Sequence, residues 1–347
     1  MEKGRDTVRK PKARQYLSPA VLCVFLICAA ALPLLMGGIK PLWIAILMYI
    51  VLSVSWSVFA GATGHISLAT AAFFGLGMYT AAFFSDNLPL PLLMLAGGAI
   101  TFCAAFAIGA VMLRFRGLYF TIITFILVEA LKYLIIWAEL RFADKHGRFI
   151  EPLSAETVYY YILALAAILI AVVYIIKRPR FGRVFPVPGA VTTAAAPGRF
   201  SPALAKAFAF AISSFFMGAV GAAVAAGFTY IDPATAFDEL KTFLPVLMAV
   251  FGGMRKPVGP VVGAAVFAWL QEVLGVDMSA GYLIAVGAIL IAIIVFMPEG
   301  LVGLLHAAAG KIASVKMKTT YTADSGEEKE IKNDRGVNNA ENSQTSR

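Results

Sequence analysis

Charged side chains are scarce in this sequence. Asp, Glu, Lys and Arg make up 14% of the 347 residues, whereas soluble domains contain about 25%. Apolar runs occupy much of the chain instead, and many of them approach the ~20 residues that a helix needs to cross a bilayer. This deficit of charge excludes an ordinary soluble domain. It predicts an all-α fold, a polytopic bundle of membrane helices.

Motifs for covalent chemistry are also missing. The sequence contains no Walker A phosphate loop, no HExxH pair and no nucleophile motif, and its three histidines are far apart. The three cysteines (Cys23, Cys28 and Cys103) lie within apolar runs, so we interpret them as packing residues rather than as a disulfide or metal site. We therefore expect no catalytic residue, no metal and no cofactor. A polytopic membrane enzyme remains the less favoured alternative.

Ten apolar runs are predicted to be membrane segments. The first follows a polar, basic N-terminus (residues 1–16), and a cleaved signal peptide is its alternative interpretation. The eighth is short for the ~30 Å of a hydrocarbon core, so it either re-enters or is extended by its flanks. The ten runs are residues 17–36, 41–60, 66–84, 91–113, 118–137, 158–176, 207–228, 240–251, 259–276 and 280–297.

Basic residues alternate between the two ends of these segments. With a cytoplasmic N-terminus, most of the 29 Lys and Arg residues fall on the inner side, as the positive-inside rule requires. This distribution explains the net charge of +9 without nucleic acid as a partner. We expect both termini in the cytoplasm, a transmembrane domain over residues 17–305, and a disordered polar tail over residues 306–347.

One glycine-rich stretch, GATGHISLATAAFFGLGMYTAAFF at residues 61–84, stands out. Small residues let helix backbones approach closely in lipid, whereas each glycine costs a helix roughly 1 kcal/mol relative to alanine. The stretch therefore predicts either tight helix packing or a discontinuous, path-lining segment. Its candidate residues are Gly61, Gly64, His65, Ser67, Thr70, Gly75 and Gly77.

Glu129 and Lys132 are the other candidates inside a membrane segment. Their spacing of three residues places them on one helical face, where an ion pair would lower the cost of burying both charges. A proton or substrate site is the sharper alternative. An ion-coupled secondary transporter of small solutes is the main rival function. It would need more charged side chains inside the membrane than this single pair supplies.

Four stretches resemble the permease subunits of ABC importers for branched-chain amino acids. The resemblance implies transport of amino acids across a bacterial inner membrane, with ATP hydrolysed by separate subunits. It also implies four kinds of partner: a second permease, two ATP-binding subunits, an external substrate-binding protein and membrane lipid. His65 stands where this family usually has Gln, and Glu129 falls where it commonly has Glu. The four stretches are GATGHISLATAAFFGLGMYTAA, LRFRGLYFTIITFILVEALKYL, FLPVLMAVFGGMRKPVGPVVGAAVF and IVFMPEGLVGLL.

The cytoplasmic loop after KRPRFGR departs from that resemblance. The family has a charged helix there that would dock on the ATPase, but residues 184–206 contain four prolines and no acidic residue, which opposes a continuous helix. A local reading-frame disturbance and a divergent loop both explain the departure, and either predicts weak coupling to an ATPase. The basic residues expected to face the ATPase are Arg180, Arg183, Arg199, Arg255 and Lys256.

Overall fold

The computed structural model describes residues 22, 26–31, 33, 39–115, 117–142, 147–176, 202–254 and 258–273. The helices within these ranges form one bundle, and two short strands pair at one end of it. The helices are α1 (Pro41–Thr63), α2 (Thr70–Phe84), α3 (Leu90–Met112), α4 (Leu118–Phe142), α5 (Ala155–Ile176), α6 (Pro202–Ala225), α7 (Pro233–Ala236), α8 (Leu240–Gly252) and α9 (Val258–Val273), and the strands are β1 (Arg148–Phe149) and β2 (Tyr230–Ile231).

Five of these helices (α1, α3, α4, α5 and α6) are long and apolar enough to cross a membrane. The prediction of a polytopic, all-α membrane protein is therefore confirmed. Residues 26–31 of the first predicted run are helical, and the tenth run lies outside the described residues. The third run differs from its prediction, because residues 64–69 are not helical and α2 begins only at Thr70.

Proline and glycine set several helix ends. Pro41 opens α1 directly after Lys40, where a missing backbone N–H costs nothing. Asp232 caps the short α7, since its Oδ1 accepts a hydrogen bond from the Thr235 N–H at 3.3 Å. Gly253, at φ 95°, ends α8, and its 13 residues rise about 20 Å, less than the ~30 Å of a hydrocarbon core. The length of α8 thus leaves both interpretations of the eighth run open.

Helix α2 lies at the centre of the bundle. Twelve of its fifteen residues are buried, and it contacts α3, α4, α6, α7 and α8. Helix α6 packs extensively on α2 and α3 and also contacts α1 and α5. Helix α4 is peripheral by comparison, with a largely exposed outer face. The central helix is therefore the one that begins within the glycine-rich stretch.

The strands β1 and β2 mark one end of the bundle. They pair antiparallel, with Arg148 opposite Ile231 and Phe149 opposite Tyr230. The Arg148 guanidinium lies 3.5 Å from the centre of the Phe83 ring, at the end of α2. The predicted outer loops therefore meet at this ribbon end, which agrees with a chain that crosses the membrane alternately. Such a small ribbon has no clear sequence signal, and it was not predicted.

Candidate functional site

Residues 64–69 form an irregular connector between α1 and α2, at the opposite end of the bundle from the ribbon. Gly64 adopts the left-handed conformation (φ 69°), and its N–H donates to the Ala60 carbonyl at 2.9 Å. Glycine suits this position because other residues pay a steric cost there. Helix α1 thus ends within the glycine-rich stretch, and the chain reverses direction before α2.

Side chains of α1 and α4 satisfy polar groups of the connector. The Trp56 indole N–H donates to the Ser67 carbonyl at 2.8 Å, and this bond is buried. The Leu68 N–H donates to the Thr124 hydroxyl at 3.0 Å. Irregular backbone is tolerated at membrane depth only where the protein supplies such partners. These hydrogen bonds therefore hold a non-helical segment against two helices at once.

Thr121 adds a third anchor on α4. Its hydroxyl donates to the Ile66 carbonyl at 2.8 Å, at an exposed position. Thr121 and Thr124 lie three residues apart, so both hydroxyls occur on one helical face. These two threonines and Trp56 were not among the predicted site residues, because threonine and tryptophan are ordinary within an apolar run. The three-residue spacing, which places both hydroxyls on one helical face, was the sequence feature that could have identified Thr121 and Thr124.

His65 lies two residues beyond the end of α1. Its backbone N–H donates to the Thr63 hydroxyl at 3.2 Å, and its Nδ1 lies 2.9 Å from the Thr63 carbonyl. A carbonyl can only accept, so this Nδ1 carries the hydrogen. The ring also meets Phe120 edge-on, with 5.5 Å between ring centres. His65 therefore caps a helix end and rests on the start of α4.

The remaining polar candidates are buried at the start of α2. The Ser67 hydroxyl accepts from the Ala69 N–H at 3.3 Å. The Thr70 hydroxyl is buried without a hydrogen-bond partner. The connector therefore brings four of the predicted residues (Gly64, His65, Ser67 and Thr70) into one small region.

The four candidate glycines divide into two groups. A β-carbon at Gly61 or Gly64 would meet nothing within 4 Å. A β-carbon at Gly75 would lie 2.6 Å from the Phe237 ring, and one at Gly77 would collide with the Gly218 backbone. The predicted tight helix packing is thus observed around Gly75 and Gly77, whereas a role of the stretch in lining a path stays a prediction. Gly61 lies in the last turn of α1 and Gly64 at the start of the connector, and both have open space where a β-carbon would be, whereas tight helix packing surrounds the second pair.

A close joint between α2, α3 and α6 surrounds Gly77. The backbones approach because glycines meet there: a β-carbon at Gly97 would lie 3.2 Å from the Gly218 carbonyl oxygen and 3.5 Å from the Gly77 α-carbon. The Thr101 hydroxyl, which is buried, lies 2.8 Å from the Gly97 carbonyl and 3.0 Å from the Ser214 carbonyl of α6. Small residues and interhelical hydrogen bonds are the usual means of holding helices together in lipid.

Glu129 and Lys132 form the ion pair that their spacing predicts. The Lys132 Nζ lies 2.9 Å from Glu129 Oε1, and both side chains are partly exposed, at 20% and 30% respectively. They lie on α4, away from the connector. A role for this pair in transport stays a prediction.

The residues expected to face an ATPase lie outside the described ranges. This applies to Arg180, Arg183, Arg199, Arg255 and Lys256, and also to most of the proline-rich loop. Across the residues that the structure does describe, no group of three or more His, Cys, Asp or Glu side chains could hold a metal ion. The assembled geometry is that of a membrane bundle with an irregular, hydrogen-bonded segment beside its central helix.

Comparison with known proteins gives the class of this bundle: it is a transport subunit rather than an enzyme. The family described as "Branched-chain amino acid transport system / permease component" matches residues 38–298. The chain therefore belongs to this family. With its apolar helices, the assignment makes it a multi-pass protein of the inner membrane.

Two curated relatives agree with the assignment. The high-affinity branched-chain amino acid transport system permease protein LivM of Escherichia coli K12 is 22% identical, over 86% of this chain and 80% of the relative. The protein of the same name from Salmonella typhimurium LT2 is 23% identical, over 81% of this chain and 74% of the relative. No solved structure matches the chain.

Proposed function

We propose that this chain is the permease subunit of an ABC importer that carries branched-chain amino acids inward across the inner membrane. The family match over residues 38–298 carries the proposal. Three of the four motif stretches lie within that range, and the fourth (residues 294–305) overlaps its end. Two subunits that hydrolyse ATP would supply the energy, because the sequence has no phosphate-binding loop of its own. A second permease and an external substrate-binding protein would complete the transporter.

The connector is the part of this chain best suited to move during transport. Residues 64–69 bond to Trp56 on α1 and to Thr121 and Thr124 on α4, so a shift of α4 relative to α1 would pull directly on them. The space beside Gly61 and Gly64 would accept the rearranged chain. A segment that changes its partners while the packed helices keep theirs is one way in which alternating access is produced.

Uptake measurements test the proposed function. The full-length chain would be reconstituted in proteoliposomes with its ATPase subunits, second permease and binding protein. We expect ATP-dependent accumulation of leucine, isoleucine and valine, with little accumulation of lysine or glutamate. Accumulation driven by a proton or sodium gradient without ATP would instead support the secondary transporter. Empty proteoliposomes and an ATPase variant without hydrolysis are the matched controls.

Coupling to the ATPase is a separate question, because four prolines within residues 181–206 oppose the docking helix that the resemblance implies. We propose that this chain binds its ATPase weakly, and that a charged helix of equal length taken from a related permease restores both co-purification and uptake. Sequencing the gene would find a paired insertion and deletion if the reading frame is disturbed. A confirmed sequence that co-purifies and transports as written would move the docking role to Arg255 and Lys256.

A further inference from the structure

A seam crosses the ribbon end of the bundle and separates two pairs of elements. On one side are the end of α4 and residues 147–150, which we call the strap. On the other side are the central helix α2 and the strand β2, which contact each other. Phe149 of the strap lies opposite Tyr230 of β2, and the Ile150 N–H donates to the Thr229 carbonyl at 3.0 Å. A short antiparallel ladder therefore runs along the seam.

Glu139 bonds to both sides of the seam. It belongs to the last turns of α4 and is only 4% exposed, although its neighbour Leu140 is 50% exposed. Its Oε2 accepts a hydrogen bond from the Gly147 N–H of the strap at 3.1 Å. The hydroxyl of Tyr79, which is on α2 and 2% exposed, donates a hydrogen bond to the same side chain. The carboxylate thus ties the strap to α4, and α4 to the central helix.

Arg148 is a second charged group at the seam. Its guanidinium, on the strap, lies 3.5 Å from the centre of the Phe83 ring on α2. A cation over an aromatic ring is attracted by that ring, and the contact replaces part of the cation's hydration. The Arg148 Nε is buried and has no hydrogen-bond partner among the described residues. This unsatisfied donor is a cost of the closed seam, and water would remove it if the seam opened.

The buried carboxylate can be satisfied whether the seam is closed or open. In the closed seam, the Gly147 N–H and the Tyr79 hydroxyl compensate Glu139. In an open seam, Glu139 would keep Gly147 and exchange Tyr79 for water. An apolar side chain in its place would favour the closed form alone, because each Å² of apolar surface returned to water costs roughly 25 cal/mol. A carboxylate that bonds across the seam therefore suits a contact that is made and broken.

Helix α4 is the element best placed to open this seam. Only 22% of its membrane span is buried in the bundle, against 83% for α6. At its opposite end, α4 holds the connector through Thr121 and Thr124. A tilt of α4 away from α2 would therefore open the seam and pull on the connector in one movement.

We propose that α4 and the strap move as one unit, and that the seam is the outer closure of the transport path. This inference rests on the proposed function and on the predicted orientation, in which the ribbon end faces outward. The structure describes the closed form, with Glu139 bonded to Tyr79 and Arg148 over Phe83. The open form admits the amino acid between α4 and α2.

A disulfide between positions 149 and 230 would lock the seam. The bond from Ile150 to Thr229 makes these two residues a hydrogen-bonded pair. The adjacent pair, Phe149 and Tyr230, is then a non-hydrogen-bonded one, whose α-carbons are typically about 4.5 Å apart. That spacing lies within the range of disulfides. Phe149→Cys and Tyr230→Cys would be combined in a chain whose own three cysteines are replaced by serine, namely Cys23, Cys28 and Cys103.

Leucine uptake by the complete transporter in proteoliposomes is the first measurement. We expect the reduced double variant to import leucine like the cysteine-free chain. The oxidised double variant should lose uptake, and dithiothreitol should restore it. Two neighbouring residues that never separate would tolerate the bond, so the disulfide costs a static ribbon nothing. The matched controls are the two single variants, whose uptake oxidation should not change.

Labelling of a cysteine at position 82 tests the seam without transport. Ala82 lies three residues after Tyr79, hence on the same face of α2, and it is 6% exposed. The full-length cysteine-free chain with Ala82→Cys would be treated in detergent with a membrane-impermeant maleimide. We expect faster labelling when Tyr79→Phe removes the bond to Glu139. Tyr133→Phe, which alters an exposed tyrosine of α4 outside the seam, should leave the labelling rate unchanged.

Either of two results overturns the proposal. One is equal leucine uptake by the oxidised and reduced forms of the double variant. The other is a labelling rate of Ala82→Cys that Tyr79→Phe does not change, as expected for a seam that only stabilises the fold, and this result decides if the double variant fails to fold. An unaltered complete transporter that moves no amino acid refutes the proposed function instead, and the labelling still shows whether the seam opens.

Discussion

The two parts of the glycine-rich stretch are held in place by different forces. In the connector, residues 64–69, the backbone is irregular and is fixed by hydrogen bonds from Trp56 and Thr124. In α2 the backbone is regular and is fixed by close contact, with Gly77 against Gly218. Glycine serves both parts, first through its conformational freedom and then through its small size. A stretch with one composition therefore contains an irregular segment held by hydrogen bonds and a regular helix held by close packing.

Among the variants that test this comparison, Gly77→Ala should reduce the yield of folded protein the most. Its β-carbon would collide with the Gly218 backbone, and a backbone cannot move aside as a flexible side chain can. Overpacking of this kind costs about 1–3 kcal/mol and occasionally more, so we expect a clear loss of folded yield by size-exclusion chromatography in detergent. Gly77→Leu should abolish uptake altogether.

Leu76→Ile is the matched control for Gly77→Ala. It changes a partly buried neighbour at constant volume and should reduce the yield only slightly. Normal yield and uptake in Gly77→Ala would show that α2 and α6 separate more easily than their contact suggests. It would also refute the proposed difference between the connector and α2.

Thr124→Val should have the next largest effect, because it tests the polar attachment of the connector. Valine keeps the shape but leaves the Leu68 N–H without its acceptor, which typically costs about 1–3 kcal/mol. We expect a lower melting temperature of the purified chain and slower uptake. Thr121→Val removes an exposed hydrogen bond, so it should have a smaller effect. Equal effects from both variants would argue that burial does not matter at the connector.

Gly64→Ala should have the smallest effect of the three. Alanine in the left-handed conformation costs about 1–2 kcal/mol, but no atom lies within 4 Å to clash with its β-carbon. Gly64→Asn should cost less, since asparagine tolerates this conformation better. Gly61→Ala should be neutral or slightly stabilising, because alanine favours a helix by roughly 1 kcal/mol. The melting temperatures of these three variants should follow that order, and a loss in Gly61→Ala would show that the space there is needed.

Hydropathy predicted the membrane class and the positions of the long helices well, because both depend on length and apolarity. It did not predict the start of α2, since Ile66 and Leu68 continue the apolar run although their backbone is not helical. The run over residues 118–137 also ended too early, which left Glu139 in a supposed loop, whereas α4 continues to Phe142. Partners distant in sequence, such as Thr124 for Leu68, depend on tertiary packing and have no local signal.

The joint around Thr101 also has a consequence for the order in which the chain assembles. Thr101 of α3 bonds to Ser214 of α6, which is 113 residues later in the sequence. At a synthesis rate of about 5–20 residues per second, α3 waits roughly 6–23 s in the bilayer for its partner. During that interval the small-residue faces of α2 and α3 meet lipid tails, which fill narrow grooves poorly. Nascent chains that stop before α6 therefore lack the helix that completes the bundle, and they are the forms most exposed to membrane quality control.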